Sequence, residues 1–143
     1  MMSKITGDLL AELSQSGDLT KYLSDNQTET ISGEIGGLID KIRQANRLTK
    51  AELARKAGIS EFYLYQILKG SRKPSRDTLL AICLGLGCTE EQTGELLKRG
   101  AYSPLYVRIR RDAIILYGIM HDWDVLKVND MLYEQGEQAI GEA

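Results

Sequence analysis

The chain has 143 residues, 43% hydrophobic and 27% charged, with a formal net charge of −2. That length suits one well-buried core and would crowd two full-sized domains, and the balance of apolar to charged residues excludes a disordered chain. A slightly acidic total also excludes a protein that coats nucleic acid through bulk positive charge, so the distribution of charge matters more than its sum.

Apolar residues recur three and four apart along the chain and no strand-like alternation persists, so the predicted fold class is all-α. Leu9, Leu10 and Leu13 mark one short helix, and Leu19, Tyr22 and Leu23 a second, separated by a Ser-Gly-Asp turn at 16–18. Together they predict an N-terminal helical arm over 1–30, closed by a polar connector from Asp25 to Thr30. A longer helix follows, with Ile35, Leu38, Ile39, Ile42 and Ala45 on one stripe. Gly36 and Gly37 inside it cost about 1 kcal/mol each relative to alanine, which points either to close backbone packing there or to a late helix start.

Thr49 is followed three residues later by Glu52, the capping-box spacing that satisfies two otherwise unpaired amides, and predicts a helix from Lys50. Leu53, Ala54 and Ala57 face inward, and Gly58 ends the helix because glycine takes the left-handed conformation cheaply. Ser60 then caps a second helix with Leu64, Ile67 and Leu68 inward, closed by Gly70. Two short helices joined by three residues must cross steeply, which is a helix-turn-helix. Ser75 caps a further helix through Leu79, Leu80, Ile82 and Leu86 to Gly87. Thr89 with Gln92 opens one carrying Leu96 and Leu97, ended by Gly100. Beyond Ser103-Pro104, Ile109, Ala113, Leu116 and Met120 mark a long helix, and Asp124 caps a last one with Val128, Met131 and Leu132. The expected organisation is an arm at 1–30, a helix-turn-helix core at 31–100, a helical extension at 101–136 and a frayed acidic tail at 137–143.

Charge singles out one stretch. Between 49 and 79, seven lysines and arginines stand against three acidic residues, a net +4, whereas 122–143 carries −5. The helix from Glu61 to Lys69 is expected to turn Glu61, Phe62, Tyr65, Gln66 and Lys69 away from its apolar side. Such a helix fits the major groove, where Gln66 can bond an adenine edge and Phe62 or Tyr65 can touch a thymine methyl. Lys50, Arg55, Lys56, Lys69, Arg72, Lys73 and Arg76 surround it as candidate phosphate contacts, which position a protein without reading sequence. Unpaired amides at Thr49-Lys50 and Ser75-Arg76 add partial positive charge for phosphates on either side.

AELARKAGIS followed by EFYLYQILKGSRKPSRDTLL resembles the DNA-binding core of the phage-repressor and Cro class, often called XRE. The residues that carry the resemblance are Ala51, Leu53, Ala54, Gly58, Ser60, Ile67, Gly70, Arg72, Pro74, Ser75 and Leu79. It implies a lambda-repressor-like bundle and a regulator of transcription bound to double-stranded DNA. It also implies Ser60, Glu61, Phe62 and Gln66 at base-facing positions, with Lys50, Lys73 and Arg76 near the backbone. One departure is Leu68, where the class commonly has Glu. The rest of the chain resembles a narrower, little-characterised group of regulators from Gram-positive bacteria. There an arm precedes the motif, and a segment such as SPLYVRIRRDAIILYGI leads to a terminal VNDMLYE helix.

The site set is therefore Ser60, Glu61, Phe62, Tyr65 and Gln66 toward bases, with Thr49, Lys50, Lys69, Arg72, Lys73, Ser75 and Arg76 toward phosphates. Phe62 and Tyr65 fit a protein-binding patch as well as a base-reading one, so an interaction module that kept the fold is the alternative. Arg108, Arg110 and Arg111 read as a solvated face or a contact for DNA or an acidic partner. The apolar group Ile114, Ile115, Ile119 and Met120 exceeds what one helix stripe needs and motivates a homodimer. With one histidine, two cysteines spaced five apart and no glycine-rich phosphate loop, no enzyme, metal or cofactor is expected. No segment reaches the roughly 18 apolar residues that span a bilayer, and the expected location is the cytoplasm.

Overall fold

Seven of the nine helices among the described residues start at a residue whose side chain accepts a main-chain N–H of the first turn: Asp18, Thr30, Thr49, Ser60, Ser75, Thr89 and Asp124. Each such cap relieves an amide that has no partner inside the helix, which is why short polar residues mark the boundaries so reliably. The structure, a computed structural model, describes residues 4–26 and 29–141. In chain order it contains α1 (Thr6–Gln15), α2 (Leu19–Asp25), α3 (Ile31–Ala45), α4 (Lys50–Ala57), α5 (Glu61–Lys69), α6 (Arg76–Leu86), α7 (Glu90–Arg99), α8 (Arg110–Met120) and α9 (Val125–Glu134). The architecture is all-α. Residues 27–28 of the expected connector lie outside the described residues.

The core is one cluster to which α3 through α9 all contribute. Ile35 and Ile39 of α3, Leu53 of α4, Leu64 and Ile67 of α5, Leu79, Leu80 and Ile82 of α6, and Leu96 of α7 are fully buried, and Ile115, Val128 and Leu132 join them from α8 and α9. Helix α4 packs mainly on α6, and α5 on α3. On the expected stripe of α3, Ala45 is exposed and Leu38 half-buried; Leu68 of α5 is likewise only half-buried.

Gly36 explains itself through a neighbour. A Cβ there would lie 2.6 Å from the carbonyl oxygen of Leu68 and would collide with that of Ile67. Helix α3 already begins at Ile31, so close packing, and not a late start, accounts for this glycine; beside Gly37 there is open space. One turn earlier, Gly33 meets Gly70, where an added Cβ would sit 3.0 Å from the Gly33 Cα. The last turn of α5 thus rests on α3 main chain against main chain.

Two expectations about the C-terminal part need correction. The tail does not fray through Ile140, which is 3% exposed and packs into the core. Asn129 fixes it from both sides, accepting Ile140 N–H at 2.8 Å and donating to Ile140 O at 3.2 Å. Arg111 also donates to the carbonyls of Gln138 and Ala139. The composition of the tail is acidic, but one apolar side chain and four hydrogen bonds decide its path. Second, Ile115 and Ile119 are buried in the chain's own core, and Ile114 is half-buried, so of the apolar group on α8 only Met120 is well exposed.

Candidate nucleic-acid interface

The helix-turn-helix is assembled by three local devices. The Thr49 hydroxyl accepts Glu52 N–H at 3.0 Å, while the Glu52 carboxylate accepts Thr49 N–H at 3.2 Å. That main-chain donor is the chief reason the Glu52 carboxyl is held below its ordinary range. Gly58 follows α4 with φ 72°, in the left-handed region that glycine enters without a Cβ clash. The Ser60 hydroxyl then accepts Tyr63 N–H at 3.0 Å and launches α5 in a new direction.

Helix α5 is sharply two-sided. Leu64 and Ile67 are completely buried, whereas Phe62 is 70% and Tyr65 51% exposed. Ser60 and Glu61 lie on the surface with them, and Gln66 is half-buried. The Gln66 carbonyl accepts Ser71 N–H, Arg72 N–H and the Ser71 hydroxyl, so the chain turns tightly out of α5.

The cations divide into two groups. Lys50, Lys69, Arg72 and Lys73 are exposed, as are the capping residues Thr49 and Ser75. Aromatic faces steady three of these cations: Lys69 over Tyr65 at 5.6 Å, Arg72 over Tyr63 at 4.9 Å and Lys73 over Tyr102 at 4.6 Å. Each arrangement leaves the charge at the surface while restricting where the side chain can go.

Arg76 is placed differently. Its guanidinium turns into the molecule and donates to Asp112 through both terminal nitrogens, and to the carbonyls of Ser103 and Pro104. A second pair crosses the first, with Arg111 donating to both oxygens of Asp77 at 3.1 and 2.8 Å. The first turns of α6 and α8 are thereby fastened by reciprocal ion pairs, with Asp112 only 4% exposed. Sequence reasoning did not pair these residues, although a signal exists: Arg-Asp occurs in the first turn of both helices. Tyr63 and Tyr102, which carry two of the surface cations, were also missed.

Residues 39–92 match the family described as Helix-turn-helix, HTH_3. The fold is the lambda-repressor-like helix-turn-helix type. Two HTH-type transcriptional regulators from two strains of Mycobacterium tuberculosis, both called uncharacterized, are each 34% identical to this chain over 80 residues. The matched stretch is 56% of this chain and 56% of each relative, so the chain spans little more than half their length. No solved structure matches the chain.

Elsewhere the chemistry is sparse. Cys83 and Cys88 are buried, and the hydrogen bond of the Cys83 thiol to Cys88, together with burial, pushes the Cys83 thiol well up, keeping it uncharged. Among the described residues no cluster of three or more His, Cys, Asp or Glu is placed to hold a metal ion. None of their helices is long and apolar enough to cross a membrane.

Proposed function

We propose that this chain is a cytoplasmic regulator of transcription that binds double-stranded DNA sequence-specifically and reads the major groove with α5. Ser60, Glu61, Phe62, Tyr65 and Gln66 face the bases. Thr49, Lys50, Lys69, Arg72, Lys73 and Ser75 contact phosphates, joined by Arg76 through its main-chain N–H, since its guanidinium already has partners. The observation that carries this reading is the two-sidedness of α5: fully buried Leu64 and Ile67 anchor it, and Phe62 and Tyr65 stand exposed beside surface cations. The match to HTH_3 and the names of the mycobacterial relatives support it.

In this reading residues 31–100 are the DNA-binding unit and the helices before and after it are additions. Kinship with the narrower Gram-positive group rests on the arm and the SPLYVRIRRDAIILYGI segment. A homodimer completes the proposal, because one short helix touches few base pairs and two half-sites multiply specificity.

The test is selection of genomic DNA fragments by the purified chain. One recurrent sequence motif is expected, with affinity falling steeply in salt because each neutralised phosphate contributes a log-log slope of about −0.9. Arg72→Glu combined with Lys73→Glu should abolish recovery. Weak, motif-free binding that survives the double change would sink the proposal in favour of an interaction module, and a monomer mass in sedimentation with the selected duplex would remove the dimer.

A further inference from the structure

The segment 103–109 between α7 and α8 is largely exposed, yet hydrogen bonds hold four of its seven residues. Arg76 donates to Ser103 O at 3.1 Å and Pro104 O at 3.2 Å. The buried Asp112 accepts Tyr106 N–H at 3.0 Å, and Ile109 N–H closes a turn onto Tyr106 O at 2.9 Å. Just before it, the Tyr102 hydroxyl donates to Pro74 O at 2.6 Å while Lys73 lies over the Tyr102 ring. The segment is therefore strapped to the Lys73–Arg76 stretch, the edge from which α6 begins.

At the tip of the Tyr106–Ile109 turn stand Val107, 66% exposed, and Arg108, also exposed. The other arginines nearby are engaged: Arg111 with Asp77, Arg110 with Gln135 O, and Arg76 with Asp112. Arg108 has no hydrogen-bond or ion-pair partner among the described residues. A guanidinium on a hydrogen-bonded turn, pointing outward beside further exposed cations, loses little freedom on meeting an anion and can grip phosphate oxygens in parallel.

We propose that the 103–109 strap is a second DNA-contacting element, in which Arg108 binds a backbone phosphate of the duplex beyond the stretch covered by α5. This rests on the DNA-binding reading above. Asp112 and the Arg76 guanidinium are its positioning groups, since these side chains hold the turn at the α6 edge without meeting the DNA themselves.

The experiment uses the full chain and the duplex recovered by selection, with fluorescence anisotropy across a salt series and hydroxyl-radical footprinting. Arg108→Ala should weaken binding about tenfold and make the log-log salt slope shallower by about one, as expected when a single phosphate contact is lost. It should leave the recovered motif unchanged and erase protection at one flanking backbone position, while Arg108→Lys should restore the slope. Because Arg108 has no hydrogen-bond or ion-pair partner among the described residues, thermal unfolding should match the original for both variants. If Arg108→Ala keeps the original slope and footprint on a selected duplex, the strap proposal is overturned and the α5 reading stands. If the unaltered chain selects no motif at all, both fall together.

Discussion

Two helical pairs flank the helix-turn-helix, and they are joined to it in opposite ways. The arm of α1 and α2 buries no residue within either helix; Leu10 is 66% and Leu19 62% exposed. Its two helices pack chiefly on each other. Polar bonds hold the arm to itself, as where Lys4 donates to Asn26 and Glu12, and Asn26 to Glu12. The extension of α8 and α9 sends Ile115, Val128 and Leu132 into the central cluster and is bolted by crossed arginine–aspartate pairs. Leucines at helical spacing thus announce that a helix has an apolar side, but not that the chain itself covers it. Which pair becomes part of the body is decided by a few long-range polar partners and by side chains that reach the centre.

The strongest way to break that contrast is to hollow the extension. Leu132→Ala should lower the free energy of unfolding in urea by about 2–5 kcal/mol, the cost of removing a well-packed core side chain together with the cavity left behind. A loss below 1 kcal/mol would mean that α9 rests on the core without stabilising it. Asp112→Ala removes the carboxylate from Arg76 and from Tyr106 N–H. Because Arg76 keeps 22% side-chain exposure, water softens the loss, and about 1–3 kcal/mol is expected in thermal or urea unfolding. Combining it with Asp77→Ala should cost more or less than the sum of the two single changes, because the ion pairs share one joint. The smallest effect belongs to the arm: Leu10→Ser should change stability by no more than about 0.5 kcal/mol, the range for surface positions. A larger destabilisation would show that the arm is bound to the body in solution.

Helix boundaries were largely legible in the residues. The capping box at Thr49 and Glu52, the caps at Ser60 and Ser75, and Gly58 at the turn are short-range devices that act within one turn of chain, so sequence spacing alone carries them. The two sides of α5 followed from the same periodicity. What did not follow was long-range. Charge and the resemblance group Arg76 with the other cations around α5, yet its partner Asp112 lies 36 residues away. The tail was expected to fray on its acidic composition, whereas Ile140 was captured by Asn129 on a different element. The apolar excess on α8 predicts a partner, whereas Ile115 and Ile119 belong to the chain's own core.

The contact of Gly36 with the Ile67 and Leu68 carbonyls, repeated where Gly33 meets Gly70, sets how far α5 stands out from the body. Because that height is fixed by main-chain atoms, it is insensitive to the drift of methyl groups in the interior. Outward residues such as Phe62, Tyr65 and Gln66 are then free to be exchanged during evolution without moving their mount, while Gly36 would tolerate almost no replacement.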